Sequence, residues 1–429
     1  MWQHATASSP MKSICVLVQS CYDFDVRVRR KVEALVAAGY SVDVYALRTP
    51  EGRKQYTLNG VNVYTVSLGK QRGSLVRYGF EYVAFFLWAL ASITARMRRR
   101  RYVVIDVNTL PDFLIFAGVF ARWMGSKLVL DMHEITPEFY RSKYGATQNS
   151  WQVRLLTYLE RISFDFADHV VTINEPVQDL LANRGLPYSK SIVMMNSVDE
   201  ARFSFQRNTC PEAEAAATNA KFIMMYHGTL TKLYGLDIAI EALAIVESKV
   251  PGTEFWIIGE GPEEVRLRKL ARERNLETKV KFMGPVRHSQ VPAWLRKCDL
   301  GLMPIRGDVY LEFASPNKLS EFILAGKPVA ISRLRAIRHY FSPDALGFFE
   351  PNDPAALASQ IVRFYEDIGL RTRMASRAME EYAPIRWEVM KQRYLKLIES
   401  ITNDGSMLAS IESDETVTPC NKAQQRQIR

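Results

Sequence analysis

Short apolar runs alternate with helix-period segments along this chain, and the alternation occurs twice. Ile14 to Gln19 is followed by Val26, Val28, Val32, Leu35 and Val36 at near-helical spacing, then by the runs Val42 to Leu47 and Val61 to Val66. Val103 to Val107, Lys127 to Asp131, His169 to Ile173 and Ser191 to Met195 continue the strand series. Helices are expected between them at Phe113 to Trp123, Leu155 to Phe166 and Pro176 to Ala182. Strands separated by helices need crossover connections, which point to parallel sheets covered on both faces. The pattern breaks after Asn196-Ser-Val-Asp199 and crosses the alanine-rich polar stretch Arg207 to Ala220. It restarts at Phe222 to His227 and runs to Tyr382 before a last amphipathic segment, Trp387 to Ile398.

This organisation predicts a flexible tail at 1–11, a first domain at 12–200, a connection at 201–220 and a second domain at 221–384. A helix at 385–402 is expected to pack back on the first domain, with a disordered tail at 403–429. A length of 429 residues suits two domains. The formal charge of +10 favours anionic partners such as nucleotides or phospholipid surfaces. Five cysteines, at 15, 21, 210, 298 and 420, form neither a disulfide framework nor a zinc pattern, which fits a reducing, cytoplasmic setting. No secretory signal is read in the first residues. Tyr82 to Ile93 is apolar nearly all round and runs into Arg96-Met-Arg-Arg-Arg-Arg101. Twelve residues fall short of the roughly 20 that span a bilayer. The run reads as a buried layer helix, or as a helix lying in an anionic membrane surface through residues 82–101.

Ligands of parallel sheets bind at the carboxyl ends of the strands, and the residues collected there are polar. Ser20, Tyr22, Asp23 and Asp25 follow the first strand, and His133 and Glu134 follow Asp131. The loop Gly228 to Gly235 enters a helix and carries Lys232, a combination suited to a diphosphate, although it lacks the Walker ending. Ser315-Pro-Asn-Lys-Leu-Ser-Glu321 opens a short helix, expected from Pro316 to Ala325, with Gly326 at its end and a strand from Pro328 to Ser332.

The order of the second-half motifs is more specific than any one of them. His227-Gly-Thr, Gly259-Glu-Gly-Pro262, Val280-Lys-Phe-Met-Gly-Pro285, Asp299-Leu-Gly-Leu-Met-Pro304 and Asn317-Lys-Leu-Ser-Glu321 occur in succession, followed by Ala-Gly-Lys-Pro-Val329. This succession resembles the C-terminal domain of retaining glycosyltransferases of family 4. Asp25-Val-Arg-Val-Arg-Arg30, Asp131-Met-His-Glu134 and Asp168-His-Val-Val-Thr-Ile-Asn174 agree in the first half. The resemblance covers about residues 12 to 400. It implies an α/β architecture of two Rossmann-like parallel-sheet domains facing across a cleft, the glycosyltransferase B-type.

The resemblance also implies roles. Glu321 would bind the ribose hydroxyls, Lys318 and Lys232 would face the diphosphate, and Gly259, Glu260 and Gly261 would lie near the base. His133 would lie near the donor sugar, so that His133, Lys232 and Glu321 are the catalytic candidates. Gly228, Thr229, Pro316, Asn317 and Leu319 complete the donor side, and Tyr22, Asp23, Asp25 and Glu134 are acceptor-side candidates. Many relatives carry a second glutamate eight positions before the ribose glutamate, where this chain has Phe313 beside Glu312. Many also carry an arginine and a lysine in the phosphate loop, where it has Thr229 and Tyr234.

The implied activity is transfer of a sugar from a nucleotide diphosphate sugar to a glycan or lipid-linked hydroxyl, in cell-surface polysaccharide or glycolipid synthesis. Retention, no metal, no tightly bound cofactor and no nucleic-acid partner are expected, as is a cytoplasmic location, peripheral on the inner face of the cytoplasmic membrane. Two other readings stay open: a nucleotide-sugar epimerase of the same fold, and a noncatalytic basic protein binding membrane or nucleic acid through Arg98 to Arg101.

Overall fold

β1 (Ser13–Val18) is buried at every residue, as a strand must be when helices cover both faces of a parallel sheet. The computed structural model describes residues 11–49, 51–68, 75–201, 203 and 221–403. The expected tails and the connection at 201–220 fall almost wholly outside these. The chain forms two compact units: one of residues up to Met195 and again from Met390, the other Asn196–Val389.

In the first unit β1 is followed by α1 (Val26–Ala37), β2 (Ser41–Leu47), β3 (Gln55–Leu58), β4 (Val61–Val66), α2 (Leu75–Met97) and β5 (Tyr102–Asn108). A 3₁₀ stretch at Asp112–Gly118 leads into α3 (Val119–Trp123). Then come β6 (Lys127–Asp131), α4 (Thr136–Tyr144), α5 (Trp151–Phe166), β7 (His169–Thr172), α6 (Glu175–Ala182) and β8 (Ser191–Val193). The sheet order is β3-β4-β2-β1-β5-β6-β7-β8, parallel except for the antiparallel edge strand β3. Right-handed crossovers that run first leftward and then rightward from β1 put α1 on one face and α2 on the other.

In the second unit β9 (Phe222–His227), α7 (Leu236–Val246), β10 (Thr253–Ile258), α8 (Glu264–Glu273), β11 (Val280–Gly284), α9 (Val291–Arg296) and β12 (Leu300–Met303) precede α10 (Asn317–Leu324). β13 (Val329–Ser332), α11 (Arg335–Tyr340), β14 (Gly347–Phe349), α12 (Pro354–Glu366) and α13 (Ile368–Tyr382) follow. The six strands are parallel in the order β11-β10-β9-β12-β13-β14. The last described helix, α14 (Trp387–Thr402), buries Met390, Tyr394, Leu397 and Ile398, and from Met390 onward it belongs to the first unit. There Arg393 donates to the Val193 carbonyl at 3.0 Å and Tyr394 donates its hydroxyl proton to Asp106.

Five elements correct the sequence reading. The apolar run at 82–93 is the middle of a 23-residue helix, and its Gly79–Met97 portion is long and apolar enough to cross a membrane. Only 28% of that portion is buried. Phe85, Ala89, Ile93 and Met97, one residue per turn, form the buried row, while Phe80, Val83 and Leu87 are exposed. Its basic end is partly structural, because Arg96 and Arg100 approach the buried carboxylate of Asp43 at 3.7 and 3.1 Å. That leaves Arg98, Arg99 and Arg101 exposed. The other four corrections are α4, α11, β14 and the edge strand β3, none of which the apolar periodicity marked.

Candidate functional site

The second unit gathers its polar groups where α10 meets the ends of β9 and β10. Leu319, Phe322 and Ile323 form the buried stripe of α10, with Phe322 packed 5.1 Å from the His227 ring. Lys318 and Glu321, three residues apart, share another face of the helix. Pro316 stands at its N-cap without a side-chain cap, so the first amides of α10 lack a side-chain partner there.

Glu321 is 5% exposed and lies between two imidazoles. His288 donates from Nε2 to Oε1 at 3.0 Å, and His227 Nε2 lies 3.3 Å from Oε2 without forming a hydrogen bond. Burial pulls the His227 imidazole down to about 4, against the raising influence of Glu321, so it is neutral at pH 7. The two oxygens of Glu321 retain lone pairs that can accept from a vicinal diol.

Lys318 reaches back over the phosphate loop. Its Nζ lies 3.1 Å from the Tyr226 hydroxyl and 3.4 Å from the centre of the Tyr234 ring. Burial lowers its pKa to about 8, with Glu321 acting in the opposite sense. Gly228, at φ +122°, is the residue over which this lysine lies: a Cβ there would collide with the Lys318 side chain. Gly259, at φ +131°, brings its loop against the Gly228 carbonyl, and Leu230 donates to the Glu260 carbonyl at 2.9 Å. Gly259, Glu260 and Gly261 thus build the wall of the loop through backbone contact.

Lys232 sits elsewhere. Its side chain is exposed and its carbonyl accepts from Arg306 at 3.0 Å. Thr229 is exposed, and its carbonyl accepts from the Tyr226 hydroxyl at 2.9 Å. The position of the second family glutamate carries no carboxylate into the site: Phe313 is buried, and Glu312 accepts from the Arg335 amide at 2.8 Å at the start of α11.

In the first unit the register sets Val18 beside Asn108 and Asn108 beside Asp131 at the strand ends. Lys31 of α1, fully buried, donates all three of its protons to this row: to Asp106 at 3.0 Å, Asn108 at 2.7 Å and Asp131 at 2.6 Å. Burial alone would raise the Asp131 carboxyl, but Lys31, and then Arg27 at 2.9 Å, hold it well below the usual range. His133 follows. Its Nε2 is 3.2 Å from the Asn108 side-chain oxygen and 3.4 Å from Asp131. Both neighbours are acceptors, so Nε2 carries the proton and Nδ1 is left as an acceptor nitrogen. Burial, and then Arg27, lower its pKa against Asp131, which favours the neutral ring.

The acceptor-side candidates divide. Asp25 is the N-cap of α1, accepting from the Val28 amide at 3.1 Å and the Ser20 hydroxyl at 2.7 Å. Tyr22 is buried, and burial raises its hydroxyl pKa out of reach of ionisation. Both are engaged within the loop, Asp25 through its cap and Tyr22 through its burial. Asp23 accepts from Tyr56 at 2.9 Å, and Glu134 is half-buried beside His133. The missed residues are Lys31 and His288. Neither has a local sequence signal, since a lysine on a helix ordinarily marks the solvent face.

Comparison with known proteins places these features. A family model described as "Glycosyl transferases group 1" matches residues 221–367, and one described as "Glycosyl transferase 4-like domain" matches residues 25–196. Together they take in well over half of the chain. WcaL of Escherichia coli (strain K12), described as a colanic acid biosynthesis glycosyltransferase, is 33% identical over 196 residues. That match spans 44% of this chain and 46% of WcaL, about half the relative's length. D-inositol 3-phosphate glycosyltransferase of Pseudarthrobacter chlorophenolicus is 22% identical over 302 residues, 65% of this chain and 68% of that protein.

Among solved structures, sucrose-phosphate synthase from Thermosynechococcus elongatus superposes with a TM-score of 0.73 at 17% identity, covering 91% of this chain and 99% of that one. Anabaena HepE in complex with UDP gives a TM-score of 0.65 at 17% identity over 91% and 100% of the two chains. These two likenesses show a shared fold. With both halves matched by family models, the chain belongs to the group 1 glycosyltransferases, built as two Rossmann-like parallel-sheet units of the B-type fold.

Proposed function

We propose that this chain transfers a sugar from a nucleotide diphosphate sugar to a hydroxyl of a glycan or lipid-linked acceptor, in the synthesis of a cell-surface polysaccharide or glycolipid. The observation that carries this reading is the placement of Lys318 over Gly228, one helical turn from the Glu321 carboxylate, at the uncapped start of α10. A buried carboxylate with free lone pairs suits a ribose diol. An ammonium beside a helix N-terminus suits the diphosphate attached to it.

In this proposal Lys318, rather than the exposed Lys232, takes the place of the arginine and lysine absent from the phosphate loop. As the glycosidic bond breaks, negative charge grows on the leaving diphosphate. Lys318 and the amides of α10 then stabilise that charge more than they do the ground state. The acceptor hydroxyl passes its proton to a leaving phosphate oxygen on the same face, which retains the anomeric configuration. This route needs no carboxylate at the position of Phe313, and the charge at the leaving group comes from Lys318 without a metal. His133, neutral with Nδ1 accepting, is assigned to the sugar side. UDP and UDP-glucose are the ligands of HepE in its complexes and support a nucleoside diphosphate as the donor core. The exposed apolar row of α2, with Arg98 and Arg99 beyond it, supports a peripheral position on the inner face of the cytoplasmic membrane.

The test is thermal unfolding in the presence of UDP, GDP, ADP and their sugar conjugates. One nucleotide at about a hundred times its Kd is expected to stabilise the protein by about 2.7 kcal/mol. The Lys318→Gln substitution should weaken its binding roughly tenfold and Lys232→Gln by less than about twofold. Absence of a shift with every nucleotide would overturn the donor assignment. The pH dependence has a definite sign. Lys318 is charged below about pH 8 in the empty protein, so affinity for the preferred nucleoside diphosphate should fall as pH rises from about 7 to about 9.5. Titration calorimetry should show that fall in the wild type and a flat profile in Lys318→Gln.

A further inference from the structure

The donor chemistry leaves one feature of the first unit unused, a groove between the 3₁₀ stretch after β5 and the α4–α5 pair. It encloses about 470 Å³ and is lined by Tyr82, Leu110, Phe113, Phe139, Trp151 and Leu155, of which Trp151 and Leu155 are exposed. Exposed apolar surface of this kind marks a site that another apolar group covers.

Two charged residues break the apolar lining. Asp112, 6% exposed, accepts from the Thr136 hydroxyl at 2.8 Å through one oxygen, while its other oxygen, Oδ1, has no hydrogen-bond partner among the described residues. Burial raises its carboxyl to about 6. Lys143 lies in the last turn of α4, about 10 Å along the helix axis from Thr136, with its ammonium over the rings of Phe139 and Tyr144. Asp112 and Thr136 follow β5 and β6, so the groove opens at the strand-end edge that carries His133, whose amide donates to Thr109 at 3.1 Å.

We propose that this groove holds the hydrocarbon chain of a lipid-linked acceptor, with Asp112 receiving a hydroxyl of its head and Lys143 facing the phosphate that links chain to sugar. This rests on the transferase reading above and selects a lipid-linked acceptor over a free glycan. The chain satisfies the aromatic and leucine lining, the hydroxyl satisfies the orphaned oxygen, and the phosphate complements the cation within the lining. A bilayer lipid seated by its acyl chains alone would use neither charged residue.

Titration calorimetry on the full chain with dodecyl phosphate, kept below its micellar concentration, tests this against inorganic phosphate. Dodecyl phosphate should bind at least tenfold more tightly. Leu155→Glu, a change at an exposed position, should reduce that binding at least tenfold, and Lys143→Gln about threefold. Equal binding of the two probes, or equal binding of dodecyl phosphate by wild type and Leu155→Glu, would overturn the proposal. So would loss in Leu155→Glu of binding to phosphatidylglycerol vesicles when no monomeric dodecyl phosphate binds. Nucleotide binding, measured in parallel on the same samples, reports the donor reading separately: its failure leaves the dodecyl phosphate result intact, and the reverse holds.

Discussion

Replacing Lys31 with methionine is expected to destabilise the first unit by about 3 to 5 kcal/mol, the range for breaking a buried charge network from one side. For a unit of this size the unfolding midpoint should drop by roughly 10 °C or more. The ammonium makes three hydrogen bonds to groups that are 0% exposed. Without it Asp131 keeps Arg27, but Asp106 keeps only the Tyr394 hydroxyl and the Asn108 amide. Asp106 is therefore the carboxylate left without a counter-charge. Burial already pushes its carboxyl pKa up, against Lys31, and the substitution removes that opposing charge. Adding Asp106→Asn in the same background should recover about half of the loss, because the uncompensated carboxylate is gone. A midpoint within about 2 °C of wild type for Lys31→Met, measured by differential scanning calorimetry, would contradict the network's role.

Glu321→Ala is expected to weaken binding of the preferred nucleoside diphosphate at least a hundredfold, equivalent to about 2.7 kcal/mol. The carboxylate supplies the acceptors for the ribose diol, and alanine supplies none. Truncation also removes the partner of His288 and leaves the buried His227 facing an empty space. Glu321→Gln keeps one acceptor oxygen in nearly the same volume, so its loss should be smaller, about tenfold. Circular dichroism distinguishes lost binding from lost fold. Unchanged affinity in a folded Glu321→Ala protein would remove Glu321 from the site.

The sequence made much of the fold readable, and it named the residues that the structure brings together around the start of α10, Gly228, Lys318 and Glu321. Local rules coincided with the tertiary answer along α10, in its buried stripe of Leu319, Phe322 and Ile323 and in Gly326 after it, but not at its start, where Pro316 instead of Ser315 stands at the N-cap and no side chain caps the helix. The elements that escaped lacked that coincidence. α4 reads Thr-Pro-Glu-Phe-Tyr-Arg-Ser-Lys-Tyr, and its aromatic residues line a groove instead of the core, so its apolar period was faint. β3 is a polar edge strand paired on one side only. Asp25 carries two sequence signals at once, a position after a strand end and the spacing to Val28 of a helix cap, and the structure shows the cap. Sequence reasoning named both Lys232 and Lys318 for the diphosphate and could not rank them, since the two lysines are 86 positions apart and only the path of the loop under α10 decides which one covers Gly228. Lys31 is the same case: three polar residues on two strands become its ligands only once the register is set.

The return of α14 to the first unit bears on how the molecule is made. Tyr394 and Met390 are wholly buried there, yet they are synthesised about 200 residues after Met195, a delay of roughly 10 to 40 s on a translating ribosome. Throughout that interval Asp106 lacks its tyrosine donor and the groove for α14 stands open to other chains. Of the two units the one translated first is thus the one completed last, and the nascent protein depends on α14 to close the earlier core.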